Sequence, residues 1–332
     1  MSQNSHRIVS GMRPTGPLHL GHYFGVIDNW IKLQNTYECF FFVADWHALT
    51  SEYLDPKKIK EFTYELALDW FSAGLDPEKS VFFIQSEVKE HAELNLILSM
   101  LTPLGWLERN PTYKETKQEL SSKKDVNTFG FLGYPVLMSA DILIYKATAV
   151  PVGEDQLPHL ELCREIARRF NYLYGKTFPE PKSLITEAAR LPGLDGRKMS
   201  KSYGNAIFLK EDFDSVKKKV FSMVTDTNRK RLKDPGDPKN CNLFPHLKIL
   251  DPEGDLSEVI DGCKTATRGC TDCKKLLFEK MTALLEPIQQ KRKELEKNTE
   301  IMDILQEGTK KARQYAQKTM QEVREKINLV YG

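Results

Sequence analysis

The sequence of 332 residues lacks a long apolar run, a large net charge and an apolar leader segment. No stretch is both apolar and long enough to cross a membrane, so we expect no membrane partner. Residues 1–6 are polar and have no apolar core of the kind that a signal peptide needs, which predicts a cytoplasmic protein. The formal net charge is only +2. Any contact with nucleic acid must therefore come from local basic patches and not from a global field.

Cysteine is also scarce, with six residues in the chain, but four of them follow one another closely. Their spacing is C-x21-C-x6-C-x2-C, and they are Cys241, Cys263, Cys270 and Cys273. Disulfides are rare in the cytoplasm, so this group favours zinc or an iron–sulfur cluster, with four unrelated thiols as the alternative. Zinc ribbons usually have two close pairs and this chain has one, so the spacing favours iron–sulfur without excluding zinc. The remaining Cys39 and Cys163 lie in apolar patterns typical of a core.

The first patterned segment predicts a strand, a tight turn and a helix. Residues 7–12 form a short strand-like run, residues 18–33 have helical spacing of apolar positions, and the turn has the sequence PTGPLHLGH (residues 14–22). This order opens dinucleotide-type α/β folds. His19 and His22 flank Gly21 at the helix start, where backbone N–H groups and the helix dipole favour a phosphate. A lone histidine is more often structural, but a pair at this turn favours phosphate binding.

A second segment, RKMSKSYGN (residues 197–205), carries Lys198 and Lys201 between Gly196 and Gly204. Glycine on both sides permits backbone conformations that other residues avoid, which predicts a mobile loop. Two ammonium groups with hydroxyls beside them suit a polyphosphate. For one Lys-x-x-Lys alone a solvated loop is the simpler interpretation, and the histidine turn in the same chain favours an ATP site.

Strands and helices alternate through the first two thirds of the chain. The predicted elements are strands at 39–44, 80–85 and 149–153, and helices at 56–73 and 90–101. Residues 112–125 are polar and indicate an exposed helix or loop, and prolines with glycine indicate a loop over 179–193. Residues 45–48 directly follow a strand, at the sheet edge where ligands bind in such folds. We therefore expect an α/β fold, with a Rossmann-like parallel-sheet domain over residues 1–205.

The segment 129–145 is almost wholly apolar except for Asp141. A buried carboxylate without a partner costs several kcal/mol, so Asp141 must accept hydrogen bonds. One interpretation is a partner within the chain, such as a backbone N–H or a lysine. The other is a ligand with a single N–H donor in an apolar pocket, and an indole ring has that character. Such a site rejects a ligand that lacks the donor.

Beyond residue 212 the pattern becomes helical and locally basic. Residues 274–297 and 299–329 have the amphipathic spacing of two long helices, and no buried strand is predicted. Lysine and arginine cluster at 217–219 and 229–233. The chain is long enough for a second core, so we expect a mostly helical domain over residues 206–332.

Several stretches together resemble tryptophanyl-tRNA synthetases of the bacterial type, a family of class I aminoacyl-tRNA synthetases. The histidine turn and the lysine segment match the two ATP-binding motifs of that class, His-x-Gly-His and Lys-Met-Ser-Lys-Ser. The other matching stretches are residues 10–16 (SGMRPTG), 44–48 (ADWHA), 135–143 (PVLMSADIL) and 150–156 (VPVGEDQ). The resemblance covers nearly the whole chain. The cysteine spacing is similar to that of members with a four-iron–four-sulfur cluster in the anticodon-binding domain.

This resemblance implies an enzyme that joins tryptophan to tRNA(Trp) in two steps. Tryptophan reacts with ATP, in the presence of Mg²⁺, to give tryptophanyl-adenylate and pyrophosphate, and the adenylate then transfers tryptophan to the terminal ribose of the tRNA. The resemblance also implies that residues 206–332 bind the tRNA anticodon and that the enzyme is a homodimer.

The resemblance further implies roles for residues that match the family motifs. The implied catalytic residues are His19, His22, Lys198 and Lys201. The implied ATP-binding residues are Arg13, Pro14, Thr15, Gly21, His22, Gly153, Glu154, Asp155, Leu191, Lys198, Met199, Ser200, Lys201 and Ser202. The implied tryptophan-binding residues are Met138, Asp141, Val150 and Val152, and the implied cluster ligands are Cys241, Cys263, Cys270 and Cys273. Acidic residues at a helix start are also ordinary caps, which is the simpler interpretation of Asp155. Many bacterial members have Gln where Arg13 stands and Thr-x-Gly-Asn in place of residues 19–22.

Three other functions fit parts of the sequence. A tyrosine-activating synthetase shares the ATP motifs but needs polar partners for a phenol hydroxyl, and the apolar setting of Asp141 argues against it. A different nucleotidyltransferase could use the histidine turn but would not need a basic helical region. A non-enzymatic, tRNA-binding iron–sulfur protein would tolerate the loss of Lys198 or Lys201.

Overall fold

The computed structural model describes residues 6–120, 127–185, 191–231, 233–298 and 300–331. Within these ranges the centre of the protein is a sheet of parallel strands. The strands are β1 (Arg7–Met12), β2 (Glu38–Val43), β3 (Ser80–Ile84), β4 (Ala149–Val152) and β5 (Lys182–Ile185), in the spatial order β3-β2-β1-β4-β5. This order is that of a doubly wound, Rossmann-like sheet, which confirms the predicted fold class.

Helices cover both faces of the sheet and continue beyond it. In chain order they are α1 (Leu20–His22), α2 (Asp28–Leu33), α3 (Asp45–Glu52), α4 (Ile59–Ser72), α5 (Glu90–Leu101), α6 (Leu104–Glu108), α7 (Pro111–Leu120), α8 (Phe129–Leu143), α9 (Leu157–Tyr174), α10 (Phe213–Ser222), α11 (Leu243–Leu250), α12 (Ser257–Lys264), α13 (Cys270–Asn298) and α14 (Ile301–Lys326). The two long helices predicted near the C-terminus correspond to α13 and α14.

The strand with the longest apolar run lies where both faces are covered. β2 pairs with β1 on one side and β3 on the other, and its residues 39–43 are buried. Trp30 stacks on Phe41 with ring centroids 4.3 Å apart, and Tyr145 stacks on Phe40 at 4.9 Å. Successive side chains of a strand point to opposite faces, so both faces of β2 pack against aromatic rings. A parallel strand in this position requires the continuous apolar run that the sequence contains.

Two predicted elements differ from the structure. The prediction of a loop over 179–193 is wrong for Lys182–Ile185, which forms β5 and pairs with β4; residues 186–190 lie outside the described ranges. β5 is short and leaves both of its end residues exposed, so it has no apolar run that could indicate it. The helix predicted over 18–33 begins at Leu20 and widens into a π-helical turn over Tyr23–Ile27 before α2 begins. Such turns occur frequently at functional sites.

The exposed segment predicted at 112–125 is described only in part. Residues Pro111–Leu120 form α7, and residues 121–126 lie outside the described ranges.

The C-terminal helices pack on the sheet and not only on one another. α14 crosses the edge strand β3 so closely that a Cβ at Gly308 would clash with the carbonyl oxygen of Phe82. The next residue, Thr309, accepts a hydrogen bond at Oγ1 from the Ile84 amide at 3.3 Å, so the helix supplies a partner for the outer edge of β3. Buried residues of α13 belong to the same apolar core as the buried residues of β1 and β2. The boundary between residues 205 and 206 stays a prediction.

None of the helices in the described ranges combines the length and the apolar character needed to cross a bilayer.

Candidate active site

A large cavity lies where the strand order reverses. The chain leaves β1 towards β2 and β3 on one side, and later adds β4 and β5 on the other side. Loops therefore diverge at the carboxyl ends of β1 and β4, which opens a crevice there. A cavity of about 430 Å³ fills this crevice and is lined by residues 9–13 and 150–153, with α8 and the π-helical turn closing its sides. A cavity of this size and position is typical of a small-molecule site.

Seven of the residues with implied roles line this cavity. They are Arg13, His22, Met138, Asp141, Val150, Val152 and Gly153. The other residues with implied catalytic or ATP-binding roles lie outside its wall. They are Pro14, Thr15, His19, Gly21, Glu154, Asp155, Leu191, Lys198, Met199, Ser200, Lys201 and Ser202. The structure thus separates the residues with implied roles into a pocket and a rim.

The histidine turn places its two rings against each other. The rings of His19 and His22 stack with centroids 3.7 Å apart, and the His19 backbone N–H donates to His22 Nδ1 at 3.3 Å. Burial lowers the pKa of His19 to about 4 and the pKa of His22 to about 2, and the nearby Lys201 charge lowers both further. Both rings are therefore neutral at pH 7 and can donate hydrogen bonds to phosphate oxygens without carrying charge.

The structure brings the lysine segment onto the histidine turn. The Gly21 N–H points at Met199 Sδ at 3.4 Å, and a Cβ at Gly21 would lie 3.4 Å from Met199 Cβ. On the other side of the turn, a Cβ at Gly16 would lie 3.5 Å from Lys201 Nζ. The two segments are separated by about half the chain in sequence but adjoin in the fold. The ammonium group of Lys201 therefore lies beside the neutral histidines, where a polyphosphate would meet both.

Burial changes the acidity of this ammonium group. Desolvation lowers the pKa of Lys201 to about 8, although the negative charge of Asp69 acts to raise it. A lysine whose pKa lies near neutral pH gains most from an anionic ligand, because the ligand would restore the full positive charge of the ammonium group.

The backbone of the lysine segment winds around one amide side chain. Asn205 Oδ1 accepts from the Ser200 amide at 2.8 Å, and Asn205 Nδ2 donates to the Lys198 carbonyl at 3.1 Å and to Asp195 Oδ1 at 2.7 Å. Gly196 and Gly204 have φ values of 82° and 65°, in the left-handed region that favours glycine. Both flanking glycines are thus required by the backbone, as the sequence predicts for a loop with special conformations.

Asp141 is buried and accepts hydrogen bonds from three side chains. Gln85 Nε2 donates to both carboxylate oxygens at 2.8 and 2.9 Å, His91 Nδ1 donates to Oδ1 at 2.6 Å, and His47 Nε2 donates to Oδ2 at 2.8 Å. Burial acts to raise the pKa of Asp141, but these histidine contacts lower it to about 2, so the carboxylate is ionised. The interpretation that Asp141 has partners within the chain is confirmed, but the donors are two histidines and a glutamine and not a backbone N–H or a lysine.

The histidine behind the carboxylate also contacts a tyrosine. His91 Nδ1 donates to Asp141, and His91 Nε2 lies 2.7 Å from the Tyr145 hydroxyl. A second pair borders the cavity, where Tyr134 Oη and His159 Nε2 are 2.7 Å apart. Burial lowers the pKa of His159 to about 4, so this ring is also neutral.

Gln85, His91, Tyr134 and His159 had no predicted role at the site, and His47 was predicted only as part of segment 45–48 at the ligand-binding edge. Gln85 had a similar signal, because it directly follows β3. His91 had none, since only the folded chain brings it to Asp141.

The residues directly after β4 form a tight turn at the edge of the cavity. Glu154 and Asp155 are exposed in a 3₁₀ turn, and Gly153 lies at its start. A Cβ at Gly153 would lie 2.7 Å from Asp155 Oδ1, the end of an exposed side chain that can turn away. Leu191 is buried, and in the sequence it lies shortly before the lysine segment.

The four clustered cysteines lie in one region of the helical part, beside two arginines. Arg268 Nε approaches Cys273 Sγ at 3.3 Å, and Arg229 Nη1 approaches Cys270 Sγ at 3.9 Å. Burial raises the pKa of the Cys263 thiol, Arg229 opposes this, and the other three cysteines raise it further. Four thiols that influence one another are a fitting donor set for an iron–sulfur cluster or zinc. Across the described ranges, however, no three His, Cys, Asp or Glu side chains are arranged to hold a metal ion.

Comparison with known proteins places this geometry in a family. The family described as "tRNA synthetases class I (W and Y)" matches residues 1–286. A tryptophan–tRNA ligase of Thermotoga maritima is 53% identical, with 98% of this chain and 100% of the relative covered. One of Aquifex aeolicus is 48% identical, with 97% and 100% covered. The crystal structure of tryptophanyl-tRNA synthetase from Campylobacter jejuni complexed with ADP and tryptophan superposes with a TM-score of 0.87 at 39% identity, covering 97% of this chain and 100% of that one. The chain belongs to the class I tRNA synthetases of the tryptophan and tyrosine group.

Proposed function

We propose that this protein is a tryptophan–tRNA ligase, which activates tryptophan with ATP and transfers it to tRNA(Trp). The observation that carries the proposal is the position of Asp141. This ionised carboxylate lines an apolar cavity directly beside the two segments that carry the ATP motifs. The relatives at 53% and 48% identity are tryptophan–tRNA ligases, and they match this chain over their full lengths, which supports the same activity.

In the first step, an oxygen of the tryptophan carboxylate attacks the α-phosphorus of ATP. A carboxylate–phosphorus bond forms, and the bond from the α-phosphorus to its bridging oxygen breaks, so pyrophosphate leaves with the electron pair. Positioning and charge neutralisation dominate such a step. Lys198 and Lys201 neutralise the leaving pyrophosphate, and the neutral rings of His19 and His22 donate hydrogen bonds to the phosphates. Mg²⁺ accompanies ATP and contributes further positive charge.

The other ATP contacts come from the cavity wall and from the segments around it. Gly153, Glu154 and Asp155 at the end of β4 face the ribose and adenine, with Leu191 beside the adenine. Arg13, Pro14 and Thr15 form the turn under the phosphates, and Gly21, Met199, Ser200 and Ser202 complete the contact between the two motifs. The position of Gly153 in the cavity wall, with Glu154 and Asp155 exposed beside it, supports this assignment.

The tryptophan side chain occupies the cavity. Met138, Val150 and Val152 supply apolar walls, and the indole N–H donates to Asp141. The carboxylate has about four acceptor positions, and Gln85, His91 and His47 together already use four contacts. An indole N–H therefore replaces one contact, and the Gln85 amide can yield it because this group contacts both oxygens.

In the second step, a hydroxyl of the terminal ribose of tRNA(Trp) attacks the carbonyl carbon of the adenylate. An ester bond forms, and the carbon–oxygen bond to AMP breaks, so AMP leaves.

The test of this function is ATP–pyrophosphate exchange with tryptophan, tyrosine and phenylalanine in parallel. Exchange with tryptophan alone is the expected result. Tyrosine is the amino acid that the second candidate function requires, and the hydroxyl of Tyr134 with His159 at the cavity wall could serve a phenol. Exchange with tyrosine in place of tryptophan would overturn the pocket assignment and keep the ATP site. No exchange in folded protein would overturn the enzymatic proposal.

We further propose that Cys241, Cys263, Cys270 and Cys273 hold a four-iron–four-sulfur cluster, with zinc as the less favoured occupant. The spacing of the four cysteines and the two adjacent guanidinium groups support it, since positive charge stabilises thiolates. Such a group would cross-link the segment before α11 to the start of α13. Protein purified without oxygen should be brown and absorb at the blue end of the visible spectrum. A colourless protein with stoichiometric zinc, or with no metal, would contradict the proposal.

The helical region 206–332 is proposed to bind the anticodon end of tRNA(Trp). Lys217, Lys218, Lys230 and Arg231 are exposed there and can neutralise phosphates. The double variant Lys230→Glu/Arg231→Glu should raise KM for tRNA(Trp) and leave ATP–pyrophosphate exchange unchanged. An unchanged KM for tRNA would contradict this binding surface.

A second copy of the chain is proposed to cover one apolar face, which would make the enzyme a homodimer. Leu96 and Met100 lie one turn apart on α5, and Leu104 follows on α6, with 57%, 76% and 57% of their surfaces exposed. Met100→Lys should shift the protein from dimer to monomer in sedimentation velocity. Tyr172→Lys, at an exposed aromatic of α9, is the matched control and should leave the dimer intact. Monomeric wild-type protein would contradict the proposal.

The cellular location that goes with this function is the cytoplasm, where tRNA is charged. Fractionation of cells that contain the protein should recover it with the soluble cytoplasmic enzymes.

A further inference from the structure

One face of α13 contacts residues that adjoin both ATP-binding segments of the chain. Gln289 Nε2 donates to the Leu209 carbonyl at 3.0 Å and to the Glu211 carbonyl at 2.9 Å, just beyond the lysine segment. Arg292, three residues further and on the same face, reaches Asp69 through Nη1 and Glu65 through Nη2, the latter at 2.8 Å. Both contacts lie outside the cavity, and neither is used by the mechanism above.

Asp69 connects Arg292 to the histidine turn. Its side chain is 1% exposed, and Oδ2 accepts from the Leu18 amide at 2.9 Å, immediately before His19. The same stretch is held from its other side. The Leu18 carbonyl accepts from the Leu209 amide at 2.9 Å, and the Leu20 amide donates to the Ile207 carbonyl at 2.9 Å. The histidine turn and the segment after the lysines thus pair over a short stretch. α13 contacts the second segment directly through Gln289, and it reaches the histidine turn through Arg292 and Asp69.

We propose that Arg292, assisted by Gln289, is a positioning residue for the ATP step, acting through Asp69 and the Leu18 amide on the histidine turn. The inference rests on the proposed function and adds to it a route by which the helical region supports adenylate formation. Arg292 touches no reacting atom, so its effect must pass through the backbone of residues 18–20 and 207–209.

The loss of Arg292 leaves Asp69 without its ion-pair partner. A buried carboxylate without its cation is an uncompensated charge, and it attracts the nearest remaining cations. Lys210 pairs with the neighbouring Glu65 at 2.7 Å, and the charge of Asp69 also acts on Lys201. With Arg292 absent, Asp69 is drawn towards these lysines, and the Leu18 amide that it holds moves with it. The defect is therefore expected in the ATP step and not in tryptophan binding.

The experiment compares Arg292→Met with the double variant Arg292→Met/Asp69→Asn in ATP–pyrophosphate exchange. Arg292→Met should lower kcat/KM for ATP by on the order of 100-fold, the loss expected when reacting groups are misplaced by about 1 Å, with KM for tryptophan within about twofold of wild type. The double variant removes the unpaired charge and keeps an oxygen for the Leu18 amide, so it should recover at least about tenfold. Arg292→Lys, which cannot reach both carboxylates at once, should be intermediate.

A matched control is Arg324→Met. Arg324 also joins a C-terminal helix to the sheet region, through a two-contact ion pair with Glu93 at 2.7 and 2.5 Å, but it contacts neither ATP segment. This variant should leave kcat/KM for ATP unchanged. If Arg292→Met proves too unstable to assay, Gln289→Ala tests the same idea without a buried charge. It should raise KM for ATP about fivefold, because two carbonyls lose their shared donor.

The outcomes separate this inference from the proposed function. Wild-type protein without tryptophan-dependent exchange would overturn the proposed function itself. Two results with an active wild type would overturn the positioning role alone. One is that Arg292→Met changes the constants for ATP and for tryptophan equally, and the other is that the double variant is no more active than Arg292→Met.

Discussion

Replacement of Asp141 by Asn tests the amino-acid pocket in most detail. In the wild type the carboxylate accepts from Gln85, His91 and His47 and also lines the cavity. Asn has the same shape but exchanges one acceptor oxygen for an NH₂ group. Either one of the three protein donors or the indole N–H of tryptophan then loses its partner.

The size of the effect follows from the kind of hydrogen bond that is lost. A bond to a charged acceptor contributes about 1.5–3 kcal/mol, so removal of the charge should cost about 2 kcal/mol of tryptophan binding. This corresponds to an increase in KM for tryptophan of about 30-fold, at 1.36 kcal/mol per decade. The ATP motifs lie outside the Asp141 contacts, so KM for ATP should change less than about threefold.

The assay is ATP–pyrophosphate exchange with tryptophan and with β-(3-benzothienyl)alanine, in which sulfur replaces the indole N–H. Wild type should prefer tryptophan by about 30-fold, and Asp141→Asn by less than about threefold, because only the wild type offers the indole N–H a charged acceptor. Met138→Leu alters the cavity wall without changing a donor or acceptor and should keep the preference. Equal preferences in wild type and Asp141→Asn would refute the claim that this carboxylate reads the N–H.

Three further predictions concern charge, packing and acid stability. Because burial lowers the pKa of Lys201 to about 8, kcat/KM for ATP should fall about tenfold per pH unit above that pH. In Lys201→Arg this fall should begin at least one pH unit higher. A fall that begins at the same pH in the variant would assign it to another group. Gly308→Ala should lower the free energy of unfolding by about 3 kcal/mol in denaturant titration, since the Cβ meets the Phe82 backbone, whereas Gly130→Ala in open space should be neutral or stabilising. Burial lowers the pKa of His246 to about 4, so below pH 6.5 the unfolded chain binds a proton at this residue that the folded chain does not, and the free energy of unfolding falls as pH falls. His246→Phe should reduce the loss of unfolding free energy between pH 7 and pH 5 by about 2 kcal/mol. The same loss in the variant and the wild type would contradict a buried neutral ring.

Local patterns in the sequence predicted most of the sheet and the helices. The apolar run at 39–44 became the most buried strand, and the helix predicted at 90–101 has the bounds of α5, because both patterns directly reflect which faces are covered. β5 was missed because an edge strand with a lysine and a serine needs no apolar signature. Its existence depends on pairing with β4, which the local sequence does not encode.

The candidate site was predictable to the extent that it rests on contiguous motifs. The histidine turn and the lysine segment each carry their chemistry within nine residues, and the fold brings them together through Gly21 and Met199. The surroundings of Asp141 could not be predicted in this way, since His47, Gln85 and His91 come from three separate elements.

The contact between Arg292 and Asp69 shows the same limit at greater distance. It joins residues 223 positions apart, and neither residue belongs to a motif. In the sequence each is one charged residue on an amphipathic helix, where a solvated position is the ordinary expectation. Only the packing of α13 against α4 reveals that both are buried.

The central claim is that this protein joins tryptophan to its tRNA, and the most direct measurement is aminoacylation of tRNA(Trp). Purified protein should be incubated with ATP, Mg²⁺, labelled tryptophan and either tRNA(Trp) or tRNA(Tyr) transcripts, with Lys201→Ala as the inactive control. We predict charging of tRNA(Trp) by the wild type, slower by about 100- to 1,000-fold in Lys201→Ala, and no charging of tRNA(Tyr). Folded wild-type protein that leaves tRNA(Trp) uncharged, or charges it equally well without Lys201, would contradict the claim.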